Sequence, residues 1–560
     1  MTERYSEYVK SSNLRRKSTA TVKTRLESYF TDSLTSVDEV NDPVESAYPD
    51  CVEQVAECDE VENDDHSGQN LEEMVTECTA EAYPETVGDF ENVVESDDEI
   101  QQPTLISSLM NWAVEYSITL VALTALLSVL RHHHPSLPKD AKTLLHTNRN
   151  YLIKQVAGGA YFYFGIVNAL SRFLNNTFLK IPDRHTIKLQ LNFDGLPLYK
   201  SSCIQLWPIL GLVQGLKKPC LIALFGGKSK PLPLGEYLRD LVTEIQILAA
   251  GFTFKGKTLF IKITSVMCDA PARAYIKAIK YHTGYAGCDK CTLHGVHVDG
   301  RMTFPDSTSP VRTDESFRLQ MDEEHHRDIS PLTETGIGMV SMFPHDYMHL
   351  VCLGVTRKLL ELWAGSNGRL KCRLPSKKVS QLSETLLSFK CHMPTEFARK
   401  PRSVEERHRW KATEYRQFLL YTGPVALVDV VSAPVYNNFM LLYVVISILA
   451  CPKLCVEFCD FAKTLLVSFV QHFGQLYGRE NLVYNVHGLI HLSDDVKEHG
   501  QCLDNISGFP FENYLGQIKK MIRSPQFPVA QVVRCMSEFE NADCSADTPN
   551  ETKLRKPHIP

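Results

Sequence analysis

The chain has 560 residues with 44% apolar content, enough for a buried core, but its longest apolar runs, residues 118–130 and 439–451, are too short to span a bilayer. Seventeen cysteines scattered along a chain with no signal-like N-terminus argue against a disulfide scaffold and favour a reducing compartment, the nucleus or the cytosol. The net charge of −7 conceals about +13 in residues 101–560, with 52 Lys and Arg against 39 Asp and Glu, which suits a polyanionic partner such as nucleic acid.

The first hundred residues are predicted to be disordered. Residues 1–30 form a basic arm rich in Ser and Thr, and residues 31–100 carry 24 Asp and Glu with no Lys or Arg. A segment with charge of one sign and few Leu or Ile cannot bury enough surface to offset its chain entropy. Residues 101–180 are predicted to be a helical region with a break at "HPSLPKD", and the two long apolar runs are interpreted as buried core helices.

Strands and helices then alternate, which predicts an α/β region over residues 181–285. Apolar residues alternate with polar ones from Ile187 to Phe193 and stop at Asp194, as in a strand that ends in an acidic turn. Further strands are predicted over 218–227 and 258–267, with a helix over 232–251 and another that begins just past Asp269. Residues 286–500 are predicted to be mainly helical, followed by a segment at 501–545 and a flexible tail at 546–560.

Three carboxylates are candidate metal ligands. Asp194 and Asp269 follow strands, and acids that a sheet brings together can hold a pair of Mg²⁺ or Mn²⁺ ions. Glu512 begins a helix-like run that also carries Lys519, Lys520 and Arg523, which suits a metal site that handles a phosphate backbone. Each acid also has a purely structural interpretation, as a turn residue, a helix N-cap and a helix-start Glu respectively.

Four further residues are candidate ligands of one structural Zn²⁺. Cys288 and Cys291 form a C-x-x-C pair, which by itself also fits a redox pair or two buried thiols. His487 and His491 are four residues apart and share one helical face, which by itself also fits an ordinary helix surface. Together the two pairs supply a tetrahedral ligand set, so we predict a zinc site.

A basic segment at 396–416 interleaves cations with aromatic residues. This mixture can hold DNA phosphates and stack on a base, although a solvated helical face explains it equally well. The candidate DNA-binding residues here are Arg399, Lys400, Arg402, Arg409, Trp410 and Lys411.

The order of these features resembles a known family. An Asp-Gly after a strand, a strand ending at "CDAPAR", a C-x-x-C pair, a helical stretch, "YNVHGLIHL" and "FENYLG" resemble the DDE transposases of the CACTA (En/Spm) type. More distantly, the layout is similar to the catalytic subunit of the V(D)J recombinase. Phrases such as "FPHDYMHLVCLGVTRKLLELW" and "RWKATEYRQFLLYTGPV" also look like transposase-domain proteins of animal genomes, and the resemblance covers roughly residues 105–540.

The resemblance implies an RNase-H-like catalytic core interrupted by a large all-α insertion. It implies that Asp194, Asp269 and Glu512 hold two Mg²⁺ or Mn²⁺ ions, which cleave transposon ends and support strand transfer into target DNA. It also indicates a D-x-x-H motif, Asp346 and His349, as possible additional site residues. The implied partners are double-stranded DNA and further copies of the chain, as a homodimer or higher oligomer, with no membrane, in the nucleus.

Three hypotheses about function follow. The first is an active DDE transposase, which requires all three acids at one site. The second is a domesticated or inactive descendant that binds DNA or chromatin through the same fold. The third is a helical scaffold with a structural zinc, for which the acids would lie far apart.

Overall fold

The structure is a computed structural model, and it describes residues 104–148, 150–177, 180–199, 202–305, 309–365 and 372–546. The predicted basic arm, acidic tail and C-terminal tail lie outside the described residues, apart from residue 546. The described residues form a mixed α/β architecture in which helices cover both faces of one sheet.

One mixed sheet of eight strands forms the centre of the fold. Its strands follow the order β1-β2-β6-β5-β3-β8-β7, and the short β4 pairs with β5. The strands are β1 Lys154–Val156, β2 Gly159–Tyr163, β3 His185–Phe193, β4 Leu196–Pro197, β5 Gln205–Val213, β6 Cys220–Gly227, β7 Phe252–Phe254 and β8 Lys257–Met267. Strand β5 pairs antiparallel with both β3 and β6, whereas β8 pairs parallel with β3.

The pairing brings several chain segments to one edge of the sheet. Because β3 and β8 are parallel, their carboxyl ends lie side by side, with Asn192 opposite Met267. Strand β5 runs the other way, so its first residue, Gln205, lies at the same edge, opposite Gly227 at the end of β6. The turns after β3, β6 and β8 therefore share this edge, which we call the acid edge because two of the candidate acids follow β3 and β8.

Seventeen α-helices are assigned among the described residues. The helices before residue 280 are α1 Leu105–Glu115, α2 Leu120–Leu130, α3 Ala141–Leu144, α4 Ile166–Thr177, α5 Leu234–Leu248 and α6 Ala270–Ile276. Those that follow are α7 Asp314–Arg318, α8 Arg357–Ala364, α9 Ser376–Ser388, α10 Ala412–Gln417, α11 Gly423–Ala426, α12 Ala433–Leu449, α13 Cys459–Tyr477, α14 Tyr484–Gly488, α15 Leu492–His499, α16 Phe509–Lys520 and α17 Pro528–Ala546. Two π-helical stretches, Met348–Thr356 and Phe418–Thr422, lead into α8 and α11.

Two apolar layers hold the helices to the sheet. On one face, α4, α5 and α6 pack against the odd-numbered side chains of β3, such as Leu189 and Leu191. On the other face, α16 and α17 pack against Leu206 and Leu210 of β5. The segment after residue 500 therefore completes the sheet domain, although it follows more than two hundred residues of helical chain.

Residues 286–500 are mainly helical. They add one small hairpin, β9 Val296–Val298 with β10 Arg301–Thr303. The apolar run at 439–451 lies largely within α12, where Leu442 and Val445 are fully buried. None of the helices in the described part of the chain is both long enough and apolar enough to cross a membrane.

Two predictions for residues 101–180 need correction. Besides helices, this region contributes β1 and β2, which form a hairpin and join the sheet through β6. The turn between them uses Ala157 and Gly158 at positive φ, a geometry that suits a tight hairpin. The run at 118–130 is not a buried core helix either, since Leu123 and Leu127 are buried in α2 but Val121 is 82% exposed.

Candidate functional site

Asp194 and Asp269 meet at the acid edge. Asp194 directly follows β3, and Asp269 follows β8 after one intervening residue. Asp269 is also the N-cap of α6, because its Oδ1 accepts a hydrogen bond from the backbone N–H of Ala272 at 2.7 Å. The N-cap interpretation is thus correct for one carboxylate oxygen, and it leaves Oδ2 for another ligand.

Glu512 reaches the same edge from the opposite face of the sheet. It lies in the first turn of α16, which Phe511 and Leu515 anchor in the apolar layer beneath β5. Its Oε1 lies 3.7 Å from Nε2 of His349. The side chain of Glu512 is 44% exposed, so this side of the site is open to solvent.

The three acids influence one another electrostatically. Burial and the nearby charges of Asp269 and Glu512 raise the pKa of Asp194 from 3.8 to about 8. The pKa of Glu512 is also raised, first by burial and further by Asp346 and Asp269, although His349 opposes the shift. Like charges that are held together disfavour ionisation, so this cluster is stabilised by any bound cation. The structure therefore brings together the three acids that the sequence singled out.

The D-x-x-H motif, Asp346 and His349, connects the helical region to α16, the helix that carries Glu512. The buried carboxylate of Asp346 accepts hydrogen bonds from the N–H of Gly508 at 2.7 Å and of Met348 at 3.1 Å. Gly508 immediately precedes α16, and a Cβ at this position would lie 2.5 Å from Asp346 Oδ2. Asp346 therefore sets where α16 begins, and with it the position of Glu512.

Asp346 also orients and charges His349. Its Oδ2 lies 2.5 Å from Nδ1 of His349, which turns Nε2 toward Glu512. Burial alone would lower the pKa of His349, but the hydrogen bond and charge of Asp346, together with Asp194 and Asp269, raise it to about 9. A protonated imidazole thus sits beside the acids and offsets part of their charge.

A buried Cys2His2 group, which can bind a metal ion such as Zn²⁺, lies farther along the chain. Cys288, Cys291, His487 and His491 are all buried, and one ligand atom from each lies within 4.8 Å of the other three. Among the described residues, this is the one set of three or more such side chains packed so closely, and the three acids are spaced more widely.

The distances within this group fit a tetrahedral zinc site. The two Sγ atoms are 3.5 Å apart, the two Nε2 atoms 3.4 Å, and the recorded S···N distances are 3.3 and 3.6 Å. Zinc bonds of about 2.3 Å to sulfur and about 2.0–2.1 Å to nitrogen give tetrahedral edges of about 3.8, 3.4 and 3.6 Å respectively. The agreement within about 0.3 Å favours a metal site over a redox pair.

Neighbouring side chains support the same interpretation. The Asp494 carboxylate lies 3.9 Å from Nδ1 of His491, where it can orient the imidazole, as carboxylates beside metal-bound histidines do. The Phe304 ring stacks on His487 with centroids 5.4 Å apart. The pKa of Cys291 is lowered, mainly by the hydrogen bond between its Sγ and that of Cys288, which favours the thiolate that metals bind.

The two residues inside the C-x-x-C pair carry buried charges that the sequence analysis did not single out. Asp289 contacts Arg273 at 3.3 Å, Lys277 at 3.5 Å and the Tyr484 hydroxyl at 2.8 Å. Although burial alone would raise the pKa of Asp289, Arg273 and Lys277 hold it well below its usual range. Because Arg273 lies on α6, this ion pair links the Cys2His2 group to the helix that Asp269 caps.

Lys290 makes a second buried connection. Its Nζ lies 2.5 Å from Asp495, whose other oxygen accepts a hydrogen bond from the backbone N–H of His345 at 2.7 Å. His345 directly precedes Asp346, so a continuous series of polar contacts runs from the Cys2His2 group to the D-x-x-H motif. The sequence signal for these buried ion pairs was the acidic and the basic residue between the two cysteines. If the cysteines are buried, these two charges are buried as well, and an unpaired buried charge is costly.

The candidate DNA-binding residues divide into two groups. In the first group, Arg402 forms an ion pair with Glu414 at 2.7 Å. Trp410 is buried, and its indole N–H donates a hydrogen bond to the carbonyl oxygen of Ser403. Both stabilise the local fold, so Trp410 does not present a ring for base stacking. The others have exposed side chains: Arg399, Lys400, Arg409, Lys411, Lys519, Lys520 and Arg523. Of these, Lys411 lies close enough to Glu512 to lower its pKa.

Comparison with known proteins adds no assignment: no family model matches the chain, and no curated protein matches it.

Replacing Cys288 with Ser tests whether the Cys2His2 group binds zinc. We expect bound zinc, measured by elemental analysis, to fall from about one per chain to near zero. The melting temperature should drop by roughly 5–10 °C, because metal-binding energy contributes to folding. Cys203→Ser is the matched control, since this thiol is exposed, and it should change neither quantity. A Cys288→Ser protein that keeps its zinc and its melting temperature would contradict the assignment.

Replacing Asp194 with Asn tests the raised pKa of this carboxyl, which burial and the two neighbouring acids cause. A raised pKa means that the folded chain holds the proton more tightly than the unfolded chain, so this group costs stability progressively as pH rises from 3.8 to about 8. In metal-free buffer, the melting temperature of Asp194→Asn should therefore exceed that of the wild type by a margin that grows from pH 5 to pH 8. A margin that is constant or shrinks with pH would show that the pKa of Asp194 is not raised in the folded chain.

Replacing Asp346 with Asn tests the pairing with His349. The amide removes the negative charge that raises the pKa of His349, so this pKa should fall from about 9 to 6.5 or below. The measurement is a pH titration of the imidazole signals by NMR in metal-free protein, with His349→Gln to assign the signal. An unchanged titration in Asp346→Asn would rule out the pairing.

Proposed function

We propose that this chain is a DDE-type DNA transposase that cleaves phosphodiester bonds at transposon ends and transfers the freed 3′ ends to target DNA. The observation that carries the proposal is the convergence of Asp194, Asp269 and Glu512 at one sheet edge, where the first and last have raised pKa values. A scaffold protein without a catalytic site has no need to hold three carboxylates in mutual repulsion.

The strand arrangement supports an RNase-H-like core. Strands β3, β5 and β6 form an antiparallel meander, and α5 then leads by way of the short β7 to β8, which adds in parallel on the other side of β3. We take this mixed sheet, with helices on both faces, as support for the RNase-H-like core that the resemblance implies. The mainly helical residues 286–500 then interrupt the core between the second and the third acid, as the resemblance implies.

The acid edge is suited to divalent cations. The three carboxylates are hard oxygen ligands, and their like charges are only partly offset by His349. Asp194, Asp269 and Glu512 would hold Mg²⁺ or Mn²⁺, which supplies activation of a water or a 3′-hydroxyl and stabilises the leaving oxygen. Asp269 uses its N-cap bond to fix its carboxylate, and Asp346 fixes Glu512 through Gly508.

The remaining charges suit double-stranded DNA as the substrate. Exposed cations flank the acid edge, with Lys411 near Glu512 and with Lys519 and Lys520 at the end of the same helix. Phosphate contacts of this kind position a DNA duplex without reading its sequence. A DNA substrate implies a nuclear location, and joining two transposon ends implies a homodimer or a higher oligomer.

Asp269→Asn is the variant that tests catalysis. Asn keeps an oxygen that can accept the Ala272 N–H, whereas Ala would lose the cap and about 1 kcal/mol of stability. We expect Mn²⁺-dependent nicking and strand transfer, on DNA that carries the flanking ends of the gene's own locus, to fall at least 100-fold in Asp269→Asn. The melting temperature should change by no more than a few degrees.

Asp299→Asn is the matched control, since it makes the same chemical change in an exposed turn, and it should retain activity. If wild type and Asp269→Asn are equally inactive but both bind DNA, the chain is instead a domesticated transposase-derived DNA- or chromatin-binding protein. If neither protein binds DNA, the scaffold hypothesis is the one that survives.

A further inference from the structure

Lys230 lies against three aromatic rings at the acid edge. Its Nζ is 5.1 Å from the ring centroid of Tyr281 and 5.6 Å from those of Trp207 and Tyr275. It also donates a hydrogen bond to the Tyr281 hydroxyl at 3.2 Å. An ammonium group near several ring faces is attracted by their quadrupoles, so this arrangement, which we call the Lys230 box, holds the cation in place.

The box is built on the same turns that carry the acids. Trp207 packs beneath the turn after β3, where a Cβ on Gly195, the residue after Asp194, would lie 2.8 Å from its ring. Tyr275 lies on α6, the helix that Asp269 caps. Lys230 itself follows β6 by three residues, and β6 ends at the acid edge. Two of the three rings, Trp207 and Tyr275, are therefore held by the same backbone segments that position Asp194 and Asp269.

The charge of Lys230 is not paired with an acid. No carboxylate lies within ion-pair distance of its Nζ among the described residues, and only one of its three N–H groups has a recorded acceptor, Tyr281. A second cation adds to the local charge, because the Arg327 guanidinium lies 4.7 Å from the Tyr281 ring centroid. A half-buried ammonium with free donors and no counter-ion is a site for an anion.

We propose that Lys230 binds a backbone phosphate of the DNA strand that enters the acid edge. The inference deepens the proposed function and rests on it, because it takes DNA as the ligand. The three rings restrict the lysine side chain before the ligand arrives, which lowers the entropy cost of forming the contact. A lysine in a salt bridge would first have to give up its partner, whereas the aromatic faces remain in contact with the stem and the ammonium when a phosphate binds.

Lys230→Met is the test variant, because Met keeps an unbranched stem against the rings and removes the charge. Lys228→Met is the matched control, two residues away and exposed. The measurement is the affinity for a duplex of the locus ends, by fluorescence anisotropy, in salt from about 50 to about 200 mM without divalent ions. Each lost phosphate contact reduces the slope of log K against log salt by about 0.9.

We expect Lys230→Met to reduce this slope by about one and to weaken binding several-fold at the lowest salt, with the melting temperature unchanged. Lys230→Arg should restore most of the affinity, whereas an effect of packing alone would not respond to charge. A slope for Lys230→Met equal to that of the wild type would overturn the inference while leaving the proposed function intact. Failure of the wild type itself to bind DNA would overturn both.

Discussion

The parallel pairing of β3 with β8 is the constraint on which the site depends. It places Asn192 opposite Met267, so the residues that follow both strands emerge at one edge and bring Asp194 and Asp269 together. Burial of Asp194, together with repulsion from the neighbouring acids, raises its pKa to about 8. The sheet holds this unfavourable arrangement because the apolar layers on both faces fix the strands.

The third acid depends on chain that lies far away in sequence. Glu512 is carried by α16, and the start of α16 is set by the hydrogen bond between Gly508 and the buried carboxylate of Asp346. Asp346 belongs to the helical region, so this region does more than separate the parts of the core. It fixes where Glu512 lies and supplies His349, the cation that partly offsets the acids.

The Cys2His2 group and the buried ion pairs beside it hold the beginning and the end of this helical region together. Cys288 and His491 are 203 residues apart in sequence, yet their ligand atoms lie 3.6 Å from each other. Asp289 forms an ion pair with Arg273 of α6. Lys290 forms an ion pair with Asp495, which in turn accepts a hydrogen bond from the backbone N–H of His345. Buried charges stabilise a fold only when they are well paired, so these contacts make the relative position of the segments specific.

Local patterns in the sequence were sufficient to predict β3, β8, the start of α6 and the two ligand pairs, because alternation, capping and ligand spacing are short-range properties. They missed β5, whose "LWPILGLV" segment is buried on both faces and therefore lacks alternation. They also suggested Trp410 and Arg402 as DNA contacts, although the first is buried and the second is paired with Glu414. Only the tertiary structure decided these points, since burial and ion pairing depend on residues that are distant in sequence and adjacent only once the chain has folded.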